Sequence, residues 1–188
     1  TEEISVTGTE LEVDGIKIVF QNTPGSEAPA EMNFLFPDHR ALCMAENCTA
    51  VFHNVYTPRG AQIRDALAWS TYLHESIELY ADRADVSFAS HHWPRWGDDI
   101  VTHLANQRDT YRFIHDQTMR LANHGLTSRE IAEELRLPPE LEAEPSPKSH
   151  ERVNVPSGSP EPSELNWTAS GAWPLVRSEP ATAVGDWL

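Results

Sequence analysis

ALCMAENCTAVFHNVYTPRGAQIRDALAWSTYL, residues 41–73, holds the fold in miniature. A short apolar run through Ala41–Met44 reads as a strand that gives out at Glu46. The HNVYTPRG stretch that follows, with Pro58 and Gly60, reads as a polar loop. From about Gly60 to Tyr80 the residues Ile63, Ala66, Leu67, Leu73, Ile77 and Tyr80 fall largely on one face, which predicts a helix. Strand, polar loop and helix in that order make an α/β unit. In such units ligands gather where strands end and loops begin.

Working outward, the residues before this stretch are strand-rich. EISVTGTELEVDGIKIVFQN alternates around Gly8 and Asp14-Gly15, which both read as hairpin turns. MNFLFP and HRALCMAEN follow as short strands separated by Pro37-Asp38. After it, ADVSFAS reads as a brief strand. Ile100, Leu104, Tyr111, Ile114 and Leu121 then recur at helical spacing, with Gly125 as the stop. LTSREIAEELRLPPE adds a short helix, with Thr127 and Glu130 in capping-box positions and Pro138 ending it. Nine of the fourteen prolines lie from Pro138 onward. Pro, Glu and Ser dominate that tail, which reads as disordered.

Composition narrows the function classes. A net charge of −15 over 188 residues argues against a general basic surface for nucleic acid or anionic lipid. The helix-turn-helix look of LTSREIAEELRLP has no recognition helix after it, so no nucleic-acid partner is expected. No apolar run is long enough for a membrane span, and no leader follows Thr1. Cys43 and Cys48 are too few for a disulfide framework and read as buried thiols. The compartment is not legible.

Three polar groups stand at the ends of strand-like runs: Glu27, Glu46 and His91. Carboxylate oxygen and imidazole nitrogen both suit Zn²⁺, and a carboxylate can bridge two ions. In SFASHHWPRWGDD, His91 and His92 are equivalent candidates on residues alone. Asn54 and Arg59, beside Pro58, suggest an oxyanion pocket at a helix mouth. The competing reading is a loop Asn and a surface Arg paired to Asp65 or Glu75. The other histidines, His53 among them, show no ligand spacing and read as satisfied or surface groups.

Four segments in register carry a resemblance: SEAPAEMNFLFP, the opening stretch, ADVSFASHHWPRWG and YRFIHDQTMRLANHGLTSREIAEELRLPP. Together, from about Ile16 to Pro139, they resemble the zinc-dependent alkylsulfatases of the metallo-β-lactamase superfamily, which hydrolyse linear alkyl sulfates such as dodecyl sulfate. The resemblance implies an α/β fold, the C-terminal portion of an αββα sandwich followed by helices of a dimerisation region. It implies Glu27, Glu46 and His91 as zinc ligands, with Glu46 bridging, and Asn54 and Arg59 as holders of the sulfate. The family's HxHxDH motif is absent, and three ligands are too few to close two zinc sites. The expectation is therefore a partial chain, inactive by itself. Residues 1–58 would be the back part of the catalytic domain and 59–137 the helical region, with a ligand-bearing strand and loop at 85–97. The disordered tail would follow at 138–188. The expected partners are an alkyl sulfate and a second copy through the helices. The alternative is a non-catalytic helical dimerisation module.

Overall fold

The computed structural model describes residues 3–57, 60, 62–91 and 93–141. The expected disordered tail lies, from residue 142 on, outside the described residues. Asp14 and Gly15 both take positive φ, 52° and 80°, as a two-residue hairpin turn demands. They fold β1 (Glu10–Val13) onto β2 (Ile16–Asn22). β3 (Met32–Phe36) and β4 (Ala41–Cys43) continue the antiparallel meander. β5 (Val86–Phe88) then joins β4 in parallel, and β6 (Arg95–Trp96) closes a six-stranded sheet in sequence order.

Between β4 and β5 the chain crosses over through α1 (Ala66–Tyr80), as a parallel pair requires. The helix begins later than the sequence suggested. Asp65, not the Pro58–Gly60 region, caps it, accepting a hydrogen bond from the Ala68 amide. Ile63 is 67% exposed and takes no part in the buried stripe, so the apolar spacing overran the true start. The expected helix mouth beside Pro58 is therefore not where α1 begins. α2 (Asp98–Asn123) ends at Gly125, whose φ of 89° suits only glycine without strain. α3 (Ser128–Glu134) carries the expected capping box between Thr127 and Glu130.

Strand alternation sends Val19, Leu35 and Leu42 inward, where α1 and α2 bury Trp69, Leu73, Ile100, Leu104 and Tyr111 against them. Trp69 stacks on Tyr111 at 4.2 Å between ring centroids, and Phe52 lies on the far side of Tyr111 at 4.3 Å. The opposite sheet face is apolar from edge to edge. Val13 faces Ile16, Leu11 faces Ile18, and Phe20 faces Phe34. Phe34 faces Cys43, Ala41 faces Val86, and Val86 faces Trp96. None of these belongs to the core cluster, and Trp96 is 61% exposed. Among the described residues this face leaves Val13, Ile16 and Trp96 exposed, while Phe20 and Cys43 on it are buried.

Candidate metal and anion site

Beneath the loops at the strand ends lies a buried amide network. Asn47, 1% exposed, donates through Nδ2 to Thr23 Oγ1 (2.9 Å) and Asn33 Oδ1 (2.8 Å). Asn33 donates in turn to Gln21 Oε1 (2.9 Å), which also receives the Ser76 hydroxyl (2.6 Å). Gln21 Nε2 donates to the Tyr72 carbonyl on α1 (2.9 Å). The Asn47 carbonyl accepts from Trp69 Nε1 (2.9 Å). Buried amides are tolerated only when bonded, and here they tie β2, β3, α1 and the loop after β4 into one frame.

On that frame stands the acidic cluster. Glu46 stands three residues past the end of β4 and is Asn47's neighbour, so the network fixes its backbone. The parallel pairing of β4 and β5 carries on past the strands, with Met44 N–H donating to the Phe88 carbonyl (2.8 Å) and Ser90 N–H to the Ala45 carbonyl (2.7 Å). Parallel neighbours end on the same side of a sheet, so His91 arrives beside Glu46, its Nε2 3.1 Å from Glu46 Oε1. Glu27 follows a turn in which Ser26 Oγ donates to the Thr23 carbonyl (2.6 Å). Of the three groups that the sequence placed at strand ends, Glu27 and Glu46 share one cluster and His91 meets it through Glu46.

His53 joins them, against its reading as an ordinary histidine. Its Nε2 lies 3.6 Å from Glu46 Oε2 and 3.9 Å from Glu27 Oε1. One ligand atom from each of Glu27, Glu46 and His53 falls within 4.8 Å of the other two, a spacing that suits a cation. Burial, then the Arg64 guanidinium, holds the His53 imidazole below its usual pKa, so it is neutral at pH 7. Glu31 adds a further carboxylate. Burial and the charges of Glu27 and Glu46 push its pKa up. Like charges gathered in a half-buried place favour a cation, and carboxylates with a neutral imidazole are donors a divalent metal accepts. These residues fit part of a metal site.

Arg64, only 7% exposed, braces the cluster. Its Nε donates to the Glu27 carbonyl (2.6 Å), its Nη2 to Glu27 Oε1, and its Nη1 to the Asn54 carbonyl (2.6 Å) and Asn54 Oδ1. Nη1 also lies 3.0 Å from His53 Nδ1. Asn54 is thereby held at the edge of the acidic cluster. Arg59 and His92 lie outside the described residues. Sequence spacing did not reveal His53, Glu31 or Arg64. The available signals were the chemistry of their side chains and their closeness in the chain to Glu46, Glu27 and the helix cap.

No family model matches the chain. It is 48% identical over 142 residues, 75% of its length, to the linear primary-alkylsulfatase of a Pseudomonas species, spanning 21% of that protein. It is 49% identical over 132 residues to an (R)-specific secondary-alkylsulfatase, also from Pseudomonas, covering 69% of this chain and 20% of the relative. Among solved structures, the stereoselective inverting sec-alkylsulfatase Pisa1 from Pseudomonas superposes with a TM-score of 0.71 at 46% identity. That match covers 73% of this chain and 22% of Pisa1. The chain thus spans about a fifth of the length of the relatives it matches.

Proposed function

We propose that this chain is part of an alkylsulfatase, and that the cluster around Glu46 is one half of a zinc-dependent site for sulfate esters. The observation that carries the reading is that Glu27 and Glu46 stand in one cation-sized cluster with His91 beside Glu46, in a chain nearly half identical to alkylsulfatases over 142 residues. Glu27, Glu46 and His91 act as ligands, with Glu46, its two oxygens turned to His53 and His91, as the bridge. Zinc bound there would supply a water of lowered pKa as nucleophile. Asn54 and Arg59 hold the sulfate group, their donors stabilising charge as it collects on the departing sulfate. The substrate class is a linear alkyl sulfate. Primary and secondary esters both belong in the assay, because the relatives include enzymes named for each.

The same reading explains the uncovered sheet. Residues 1–58 form the back part of a metallo-β-lactamase-like catalytic domain, and 59–137 form the helical region with the ligand-bearing segment 85–97. A second sheet, with the remaining ligands, would cover the apolar face. A second copy of the chain pairs through the helices, where Leu79, Val101 and Met119 are each at least 41% exposed.

A chimera tests the proposal. Residues 16–139 of this chain replace the matching segment of the Pseudomonas linear primary-alkylsulfatase, and dodecyl sulfate hydrolysis is followed with zinc present. Turnover that vanishes with Glu46→Gln is expected, while the 188-residue chain alone stays inactive. A chimera that folds and takes up zinc but leaves both ester classes intact refutes it.

A further inference from the structure

Arg64 is a one-way group: a guanidinium only donates and keeps its charge at every accessible pH. Every atom that hydrogen-bonds to it must therefore present a lone pair. Two of those atoms belong to side chains whose polarity is otherwise ambiguous. The Asn54 amide meets Arg64 through Oδ1, and the His53 ring meets it through Nδ1 at 3.0 Å. We infer that Arg64 is a positioning residue that sets the polarity of the site. It turns the Asn54 amide so that Nδ2 is the end free to meet an anion. It also leaves the proton of neutral His53 on Nε2, the nitrogen 3.6 Å from Glu46 Oε2.

The consequence separates His53 from the metal ligands around it. A ligating imidazole must offer its lone pair to the ion and carry its proton on the other nitrogen. Here that would set a protonated Nδ1 against the Arg64 Nη1 donor at 3.0 Å. A competing acceptor for such a proton, the Asn54 carbonyl, would have to be shared with Arg64 Nη1, which donates to it at 2.6 Å, while the guanidinium still faced the protonated Nδ1. So Glu27, Glu46 and His91 remain candidate ligands, whereas His53 is an N–H donor at the cluster's edge. Arg64 is able to impose this because five acceptor atoms on Glu27, His53 and Asn54 leave it no freedom to turn.

The inference concerns the same cluster as the proposed sulfatase site but rests on hydrogen-bond polarity alone. It is tested on the ¹⁵N-labelled 188-residue chain by long-range proton–nitrogen correlation of the histidine rings. Wild type at pH 7.5 should show His53 as the Nε2–H tautomer. Arg64→Met should lower the ratio of Nε2–H to Nδ1–H at least about fivefold, as expected for loss of a charged donor. Zinc titration should move the His91 ring signals and leave His53 Nε2 protonated. An Nδ1–H tautomer in wild type, an unchanged ratio in Arg64→Met, or a zinc-bound His53 Nε2 would each overturn the proposal. Should Arg64→Met not fold, the wild-type tautomer and the zinc titration still decide. None of these readouts involves an ester, so a wrong tautomer leaves the sulfatase reading standing, and an inactive chimera leaves the tautomer standing.

Discussion

Replacing Asn47 by Ala probes the frame on which the site stands. The side chain is 1% exposed, and Nδ2 makes two hydrogen bonds, to Thr23 Oγ1 and Asn33 Oδ1. Truncation leaves both acceptors buried without that donor, and an orphaned buried polar group costs about 1–3 kcal/mol. The vacated volume adds to this, while Asn47 Oδ1, buried with no hydrogen-bond partner in the structure, offsets about 1 kcal/mol because its loss removes an unmet acceptor. The net loss is about 3 kcal/mol, a large share of the 5–15 kcal/mol typical of whole proteins. The hydrogen bond from the Trp69 indole Nε1 to the Asn47 carbonyl survives, so the fold should persist in weakened form. Urea unfolding followed by tryptophan fluorescence reads the loss directly. With a slope of about 2 kcal/mol per molar, the midpoint should fall by about 1.5 M. Thr23→Val, which deletes one acceptor without emptying space, should cost only about 1 kcal/mol. If Asn47→Ala shifts the midpoint no more than Thr23→Val does, the network does not brace the loop and the reasoning fails.

Acid should weaken the fold through His103. Burial, then the charge of Arg95, holds its pKa down to about 4 from an ordinary 6.5. The unfolded chain therefore binds the extra proton first, and the stability from this histidine, whole above pH 6.5, drains away as pH falls towards 4. The gap corresponds to about 3 kcal/mol, and His103→Gln should flatten the stability profile in that window. Thr127→Ala should cost α3 about 1 kcal/mol, read as faster amide exchange at Ile131 and Leu135 with α2 unaffected. On the bare sheet face, Ile16→Lys together with Trp96→Lys should reduce binding of a hydrophobic dye and delay aggregation. Unchanged dye binding would mean that face is covered after all. Calorimetry with zinc should show uptake that falls at least tenfold in Glu46→Gln, since Glu46 is the carboxylate that lies beside both Glu27 and His91.

Much of the fold could be read from local rules because local rules made it. The Asp14-Gly15 hairpin, the β3 and β4 alternation, the Gly125 stop and the Thr127–Glu130 box each depend on a few neighbouring residues. The start of α1 was misread because Ile63 continued the apolar spacing by coincidence, while Asp65 supplied the cap. Glu27, Glu46 and His91 were legible as strand-end groups, and family resemblance chose His91 over His92. His53 was not legible, because what gathers it to the cluster is Arg64, eleven residues on, and hydrogen bonds within an irregular loop leave no period in a sequence. Glu31 was passed over for a similar reason: its raised pKa comes from burial, from Glu27 on its own loop and from Glu46 on another.

The lone parallel joint in the sheet has a kinetic meaning. β1 to β4 close by short turns, but β4 meets β5 only after the whole of α1 has crossed over, and Glu46 and His91 are 45 residues apart in the chain. Closing so long a loop draws its entropic cost before its contacts reward it, so this pairing belongs to the late steps of folding. A cation bridging Glu46 and His91 would then add its stabilisation after the transition state is passed. It would leave the folding rate nearly unchanged and slow unfolding, making the site a latch on a structure already assembled.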